Sequence, residues 1–95
     1  MRLEVSPLYK YRKIGGEHYL IPVGEAAVKR KDPLQLTDTA AFLWKLLKEG
    51  RDEKEAADAL TEEFEVDRAG AAEAVDGFIR ALLAGEMAFE KGREA

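Results

Sequence analysis

The feature that most constrains this chain is an abrupt change of period within the fifteen residues Pro33 to Leu47, PLQLTDTAAFLWKLL. Leu34 and Leu36 alternate with Gln35, the pattern of a strand with one buried face. Ala40, Leu43 and Leu47 recur at helical spacing, and Phe42 and Leu46 widen that stripe. The change falls at Thr37-Asp38, two residues whose side chains accept well from the first free N–H groups of a helix. A strand that ends where its helix begins holds the two at a definite angle, so this corner is expected to seed the fold. What the strand's free edge holds becomes the functional question.

The totals narrow the class. With 95 residues, positions 1–95 form one domain, large enough for a single core but too small for a deep enclosed active site as well. A binding module is the default. A composition of 46% hydrophobic and 36% charged residues argues against a disordered chain and against a membrane protein. No apolar run approaches the roughly 20 residues of a spanning helix, and Met1-Arg-Leu-Glu lacks the start of a signal peptide, so a cytoplasmic protein is expected. Without cysteine there is no disulfide, thiolate nucleophile or sulfur metal site.

The net charge of -4 is unevenly spread. Residues 1–51 hold ten Lys/Arg against six Asp/Glu, whereas residues 52–95 hold five against thirteen. The strand half is basic and the later helices are acidic. A nucleic-acid reader needs cations on the element that enters the groove. The last helix offers only Arg68 and Arg80 amid Glu73 and Asp76, so no nucleic-acid partner is expected.

Along the chain, residues 1–8 read as an arm without periodicity. Tyr9 to Ile14 alternates apolar with basic residues and Glu17 to Val23 forms its partner. Gly15-Gly16 between them is a hairpin signal, because both positions of the tight turn require positive φ. Pro22 cannot donate to a ladder and belongs at a strand end, at a bulge or facing outward. Ala26 to Arg30 extends antiparallel, either as a separate strand or as the start of one bent strand ending at Thr37. The first helix runs from about Thr39 to Lys48 and stops at Gly50. Asp52-Glu-Lys-Glu55 has the form of a capping box opening a second helix, on which Ala56, Leu60 and Phe64 make an apolar stripe. Asp67 caps the third and longest helix, about Arg68 to Leu83, closed by Gly85. Met87 and Phe89 then either pack back on the core or form a short extension, and a charged tail from Lys91 frays.

On the third helix, Ala71, Val75, Phe78 and Leu82 define the expected core face, with Ile79 on one flank. Beside it, Gly70, Ala74, Gly77, Ala81 and Ala84 fall within about 40° of one line, leaving one side nearly bare. Two interior glycines cost roughly 1 kcal/mol each against alanine. Either a backbone comes very close there, or another helix packs tightly, or the glycines are merely tolerated.

Catalytic chemistry is not evident. His18 is the only histidine and sits in a strand pattern, where a structural or exposed placement outweighs a ligand role. No second imidazole or thiol completes a metal set, Ser6 has no evident base, and the glycines form no phosphate loop. Glu53, Glu55, Asp58, Glu62 and Glu63 read as a solvated helix face. Neither cofactor nor metal is expected.

Strands followed by three helices describe an α+β, winged-helix-like fold: an N-terminal three-stranded antiparallel sheet and a three-helix bundle. Tyr19-Leu-Ile-Pro-Val-Gly24, Leu34 to Leu47, Leu60-Thr-Glu-Glu-Phe-Glu-Val-Asp67 and Phe78-Ile-Arg-Ala-Leu-Leu-Ala-Gly85 together resemble the PqqD family, also called RiPP recognition elements, over about Val5 to Phe89. Thr37 stands where the family often has Asn, and Glu86-Met87 where it has an apolar pair. The resemblance implies a non-enzymatic protein that binds the leader of a ribosomally made precursor peptide. It also implies a partner enzyme that modifies the peptide, commonly a radical S-adenosylmethionine (SAM) protein. The leader would add as a strand to the edge Leu34, Gln35, Leu36 and Thr37. Gly70, Ala74, Gly77, Phe78 and Ala81 would form the far wall. An acidic leader would be drawn by Lys10, Arg12, Lys13, Lys29, Arg30 and Lys31, unless these only solvate a strand face. The competing classes are a winged-helix nucleic-acid binder, a general protein-interaction domain, or a homodimer through the same edge.

Overall fold

In the computed structural model, which describes residues 2–91, the period change becomes a real corner: the Thr37 side chain accepts from Ala40 N at 3.1 Å and caps the helix that follows. In chain order the elements are β1 (Arg2–Val5), β2 (Tyr9–Ile14), β3 (Glu17–Pro22), α1 (Glu25–Lys29), β4 (Leu34–Leu36), α2 (Asp38–Lys48), α3 (Glu53–Glu63), α4 (Arg68–Ala84) and β5 (Ala88–Lys91). The expected α+β class holds, with a three-stranded antiparallel sheet in the order β2-β3-β4. Gly15 and Gly16 take φ of 58° and 84°, so the β2–β3 hairpin closes through the two-residue turn their composition predicts. Pro22 ends β3 opposite Tyr9; Val23 N donates to Leu8 O at 2.8 Å, so the alternation of the ladder turns the Pro22 nitrogen away from β2 and its missing N–H costs no bond to that strand.

Two expectations are corrected. Residues 2–5 are not an arm: β1 pairs antiparallel with β5, Leu3 opposite Glu90 and Val5 opposite Ala88, in a separate two-stranded sheet. Leu3 is buried by this pairing, and Met87 packs back on the core. Residues 26–30 extend neither as a separate strand nor as part of a bent one. Glu25–Lys29 is a single helical turn entered through Gly24 at φ 58°, with Ala26 buried and Val28 facing solvent. An Ala-Ala pair favours the helix, and only one side chain finds burial, too little to hold an added strand. The tail beyond Lys91 lies outside the described residues; Lys91 itself closes β5.

The core lies between the sheet and the three longer helices, with Leu20, Leu43, Trp44, Leu60, Ile79 and Leu82 its largest fully buried side chains. Each long helix starts as its sequence predicts. Asp52 and Glu55 make the reciprocal capping box of α3, and Asp67 accepts from Gly70 N at 2.7 Å to cap α4. Gly50, at φ 95°, ends α2 with Gly50 N donating to Leu47 O and Arg51 N to Leu46 O, a Schellman motif.

The end of α4 departs from expectation in one respect. Gly85 is the C-cap but has φ -91°; the left-handed position falls on Glu86, at φ 60°, while Glu86 N donates to Leu83 O and Met87 N to Leu82 O. A Cβ at Gly85 would lie 2.7 Å from Met87 Cε, the free end of a flexible side chain that can move aside. A side chain held at positive φ costs about 1 kcal/mol, so Glu86→Gly is expected to raise stability by about that amount in chemical denaturation.

Asp58 joins α3 to the start of α4. Its carboxylate accepts from Arg68 Nη1 at 2.7 Å and lies 3.6 Å from Lys54 Nζ, and the Arg68 hydrogen bond foremost holds its pKa below the usual 3.8. Such a group stabilises the fold above its unfolded-state pKa, and that contribution is lost as pH falls through the lower folded-state value. Asp58→Asn is therefore expected to lower stability slightly at neutral pH and to flatten the loss of stability below about pH 4, read from denaturation midpoints between about pH 3 and pH 7.

Candidate functional site

β4 is the edge of its sheet. Leu34, Gln35 and Leu36 pair with Leu20, Tyr19 and His18 of β3, and among the described residues no strand pairs with β4 on its other side. Leu34 and Leu36 are half-buried and pack against the core, while Gln35 and Thr37 are exposed, as the alternation predicts. The Gln35 amide donates to Glu17 Oε1 at 2.7 Å. An open depression of about 420 Å³ lies at the Thr37 end, lined by Glu17, Gln35, Leu36, Thr37 and Asp38 and by no residue of α4.

The corner is clamped by a chain of side chains that sequence reasoning did not find. The Tyr11 hydroxyl lies 2.6 Å from His18 Nδ1, and His18 Nε2 lies 2.8 Å from Asp38 Oδ1. With the proton on Nε2, the imidazole accepts from Tyr11 and donates to Asp38, linking β2, β3 and the first residue of α2. Lys45 Nζ sits 4.8 Å from the Tyr11 ring centroid. This is the structural role that outweighed ligation for a lone histidine. Its partner Asp38 is 20 positions away, and no local spacing announces the pair.

On α4 the buried face is Ala71, Val75, Ile79 and Leu82. Ile79, expected on the flank, is fully buried, and Phe78, expected on the core face, is only half-buried. At 100° per residue this turns the inner face by roughly 30° and leaves Phe78 on the margin, next to the bare stripe. Ala74 is also half-buried against the core; Gly77 and Ala81 are exposed.

The two glycines of the stripe differ. A Cβ at Gly70 would lie 2.9 Å from Val66 Cγ2 and 3.0 Å from Asp67 Oδ1, so Gly70 has a local reason in the helix cap. A Cβ at Gly77 would meet nothing within 4 Å, so tight helix packing does not account for it. Leu34, Leu36, Ala74 and Phe78 thus all belong to the half-buried margin of one core, while Gly77 and Ala81 form open surface.

The cations are placed elsewhere. Lys10, Arg12 and Lys13 lie on β2, separated from β4 by β3, and Lys29 lies 3.5 Å from Glu86. Among the described residues no group of three or more His, Cys, Asp or Glu is placed to hold a metal ion, and no helix is long and apolar enough to cross a membrane.

The fold has solved counterparts. A structure described as lasso peptide synthetase B1 complexed with the leader peptide superposes with a TM-score of 0.76 at 24% identity, covering 93% of this chain and 98% of that one. TbiB1 in complex with the TbiA(beta) leader peptide gives a TM-score of 0.74 at 25% identity, covering 97% and 99%. No curated protein matches the chain at comparable stringency. The family model described as coenzyme PQQ synthesis protein D (PqqD) matches residues 27–87, from within α1 to the residue before β5. That match takes in the strand–helix corner, all three long helices and most of the chain, and the protein therefore belongs to the PqqD family.

Proposed function

We propose that the protein is a non-catalytic binding module that captures the leader segment of a ribosomally made precursor peptide by strand addition to β4 and presents it to a modifying enzyme. The observation that carries this reading is the one-sided pairing of Leu34–Leu36. An edge strand offers a row of main-chain donors and acceptors for a peptide, while neighbouring side chains supply selectivity. Leu34, Gln35, Leu36 and Thr37 are the paired edge. Ala74, Gly77, Phe78 and Ala81 are the facing wall, with Gly70 at its cap end. The open surface at Gly77 supports this, because a peptide backbone can approach closely only where no side chain intervenes. Two solved relatives described as complexes with leader peptides support the class of ligand.

The enzyme partner is a radical SAM protein, as the family resemblance implies, and the setting is cytoplasmic. The description of one solved relative as a lasso peptide synthetase favours a second partner class, a lasso peptide processing enzyme. Co-purification with each enzyme class separates the two.

Titration of the leader encoded beside this gene into the labelled protein tests the core of the reading. Amide shifts are expected to concentrate at residues 34–37 and along α4 from Ala74 to Ala81. Shifts confined to α3, or none, would remove it. A concentration-dependent dimer displaced by leader would show a second copy competing for the same edge.

A further inference from the structure

We infer that the outer face of the β2-β3-β4 sheet is the surface on which the peptide-modifying enzyme docks, through an acidic patch with apolar side chains at its centre, an assignment of partner that rests on the leader-binding function proposed for β4.

Among the described residues the sheet is covered on one side only. Tyr9 of β2 and Leu20 of β3 are buried in the core, and His18 reaches Asp38 at the start of α2. The residues between them face the other way. Tyr19 and Ile21 are half-buried and neither packs against the core; Ile14 is 57% exposed, and Lys10 and Arg12 are exposed. The short helix α1 does not cover this side, because its buried residue, Ala26, belongs to the core.

Three apolar side chains on a sheet face with no layer over them mark a contact surface. Its charge selects the partner. The register places Lys10 opposite Ile21 and Arg12 opposite Tyr19, so a cation stands beside each apolar group. Neither cation forms an ion pair among the described residues. Glu17, the one carboxylate in these three strands, already accepts from the Gln35 amide. Arginine and tyrosine are the side chains that protein interfaces favour, and two unpaired cations favour an acidic surface. The peptide edge makes no use of these cations, since β3 stands between β2 and β4.

Continuity with β4 identifies that surface as the enzyme's. Tyr19 pairs with Gln35, so a leader residue added opposite Gln35 carries its side chain onto the same face. The row Arg12, Tyr19, Gln35 gains a fourth member from the peptide. A protein seated on this row touches domain and leader together, as an enzyme that receives the leader must.

The test uses the purified peptide-modifying enzyme encoded beside this gene, its binding followed by biolayer interferometry with and without leader. Lys10→Glu combined with Arg12→Glu, both at exposed positions, is expected to weaken enzyme binding about tenfold or more, largely through slower association, and to leave leader affinity within about twofold. Lys48→Glu combined with Lys54→Glu makes the same charge change at exposed positions of α2 and α3, and is expected to cost less than about threefold. Saturating leader is expected to strengthen enzyme binding by about threefold or more, because the face widens from three strands to four.

Enzyme binding that survives the first pair of substitutions, or that falls equally with the second pair, would overturn the inference. So would a leader that fails to strengthen enzyme binding, or loss of leader affinity in the first variant, which would put these cations in leader capture. Binding of a mixed-sequence oligonucleotide, or a homodimer, that the first pair abolishes would also overturn it, by assigning the face to nucleic acid or to a second copy. Normal leader binding without any enzyme binding would strike this face and leave the peptide edge standing, whereas failure of leader binding itself would overturn both.

Discussion

Gly77→Leu is expected to abolish leader binding while making the domain more stable. These two effects seldom travel together, and here they have separate causes. Gly77 lies in the interior of α4 without positive φ, and a Cβ added there meets nothing within 4 Å. Replacing an unstrained helical glycine by a good helix former recovers up to about 1 kcal/mol, mostly by restricting the unfolded chain. For a domain of this size each kcal/mol raises the melting midpoint by about 4–8 °C. A leucine projecting from the same position would fill the space a peptide backbone needs, and a loss of about a hundredfold in affinity, roughly 2.7 kcal/mol, is expected. Calorimetric titration of the leader beside a thermal melt reads both quantities. Undiminished affinity would place the peptide elsewhere, and a lower melting point would show that Gly77 has a packing role within the fold.

Leu20→Ala is expected to produce the opposite pattern, losing leader binding by losing the fold. Leu20 is fully buried on the central strand and sits in register with Leu34 of the edge strand. Truncating a buried leucine costs about 2–5 kcal/mol through lost transfer energy and an incompletely collapsed cavity. Domain stabilities are commonly about 5–15 kcal/mol, so this substitution removes a large share. A fall of more than about 10 °C in the melting midpoint is expected, with affinity for leader recovered at low temperature where the native fraction is restored. A near-neutral result would mean that β3 repacks around the missing side chain and that the edge does not depend on this contact.

Signals carried by a few neighbouring residues read correctly from the chain. The hairpin at Gly15-Gly16, the caps at Thr37, Asp52 and Asp67, and the stop at Gly50 each depend on groups within about four positions of one another, so the chain states them directly. The strand period at Leu34 to Leu36 was legible for the same reason. The burial of Ile79 in place of Phe78 was not, since two apolar residues side by side on a helix leave its rotation to whatever packs against it. Gly70 and Gly77 look alike in sequence, yet one abuts Val66 and its own cap while the other faces open space.

By itself, then, the sequence determined where strand becomes helix at Thr37, how the long helices begin, and the α+β order of elements. Those are outcomes of local hydrogen bonding and of hydrophobic period. Only the tertiary structure decided that residues 2–5 pair with residues 88–91, that 25–29 is a helical turn, and that Tyr11, His18 and Asp38 lock the corner. Each of these joins groups that are distant in the chain, or concerns a segment too short to show a period, so its energy comes from contacts that exist only once the chain is folded. The opening strand–helix corner was legible in the sequence; that β4 is left paired on one side only was settled by the arrangement of the other strands around it.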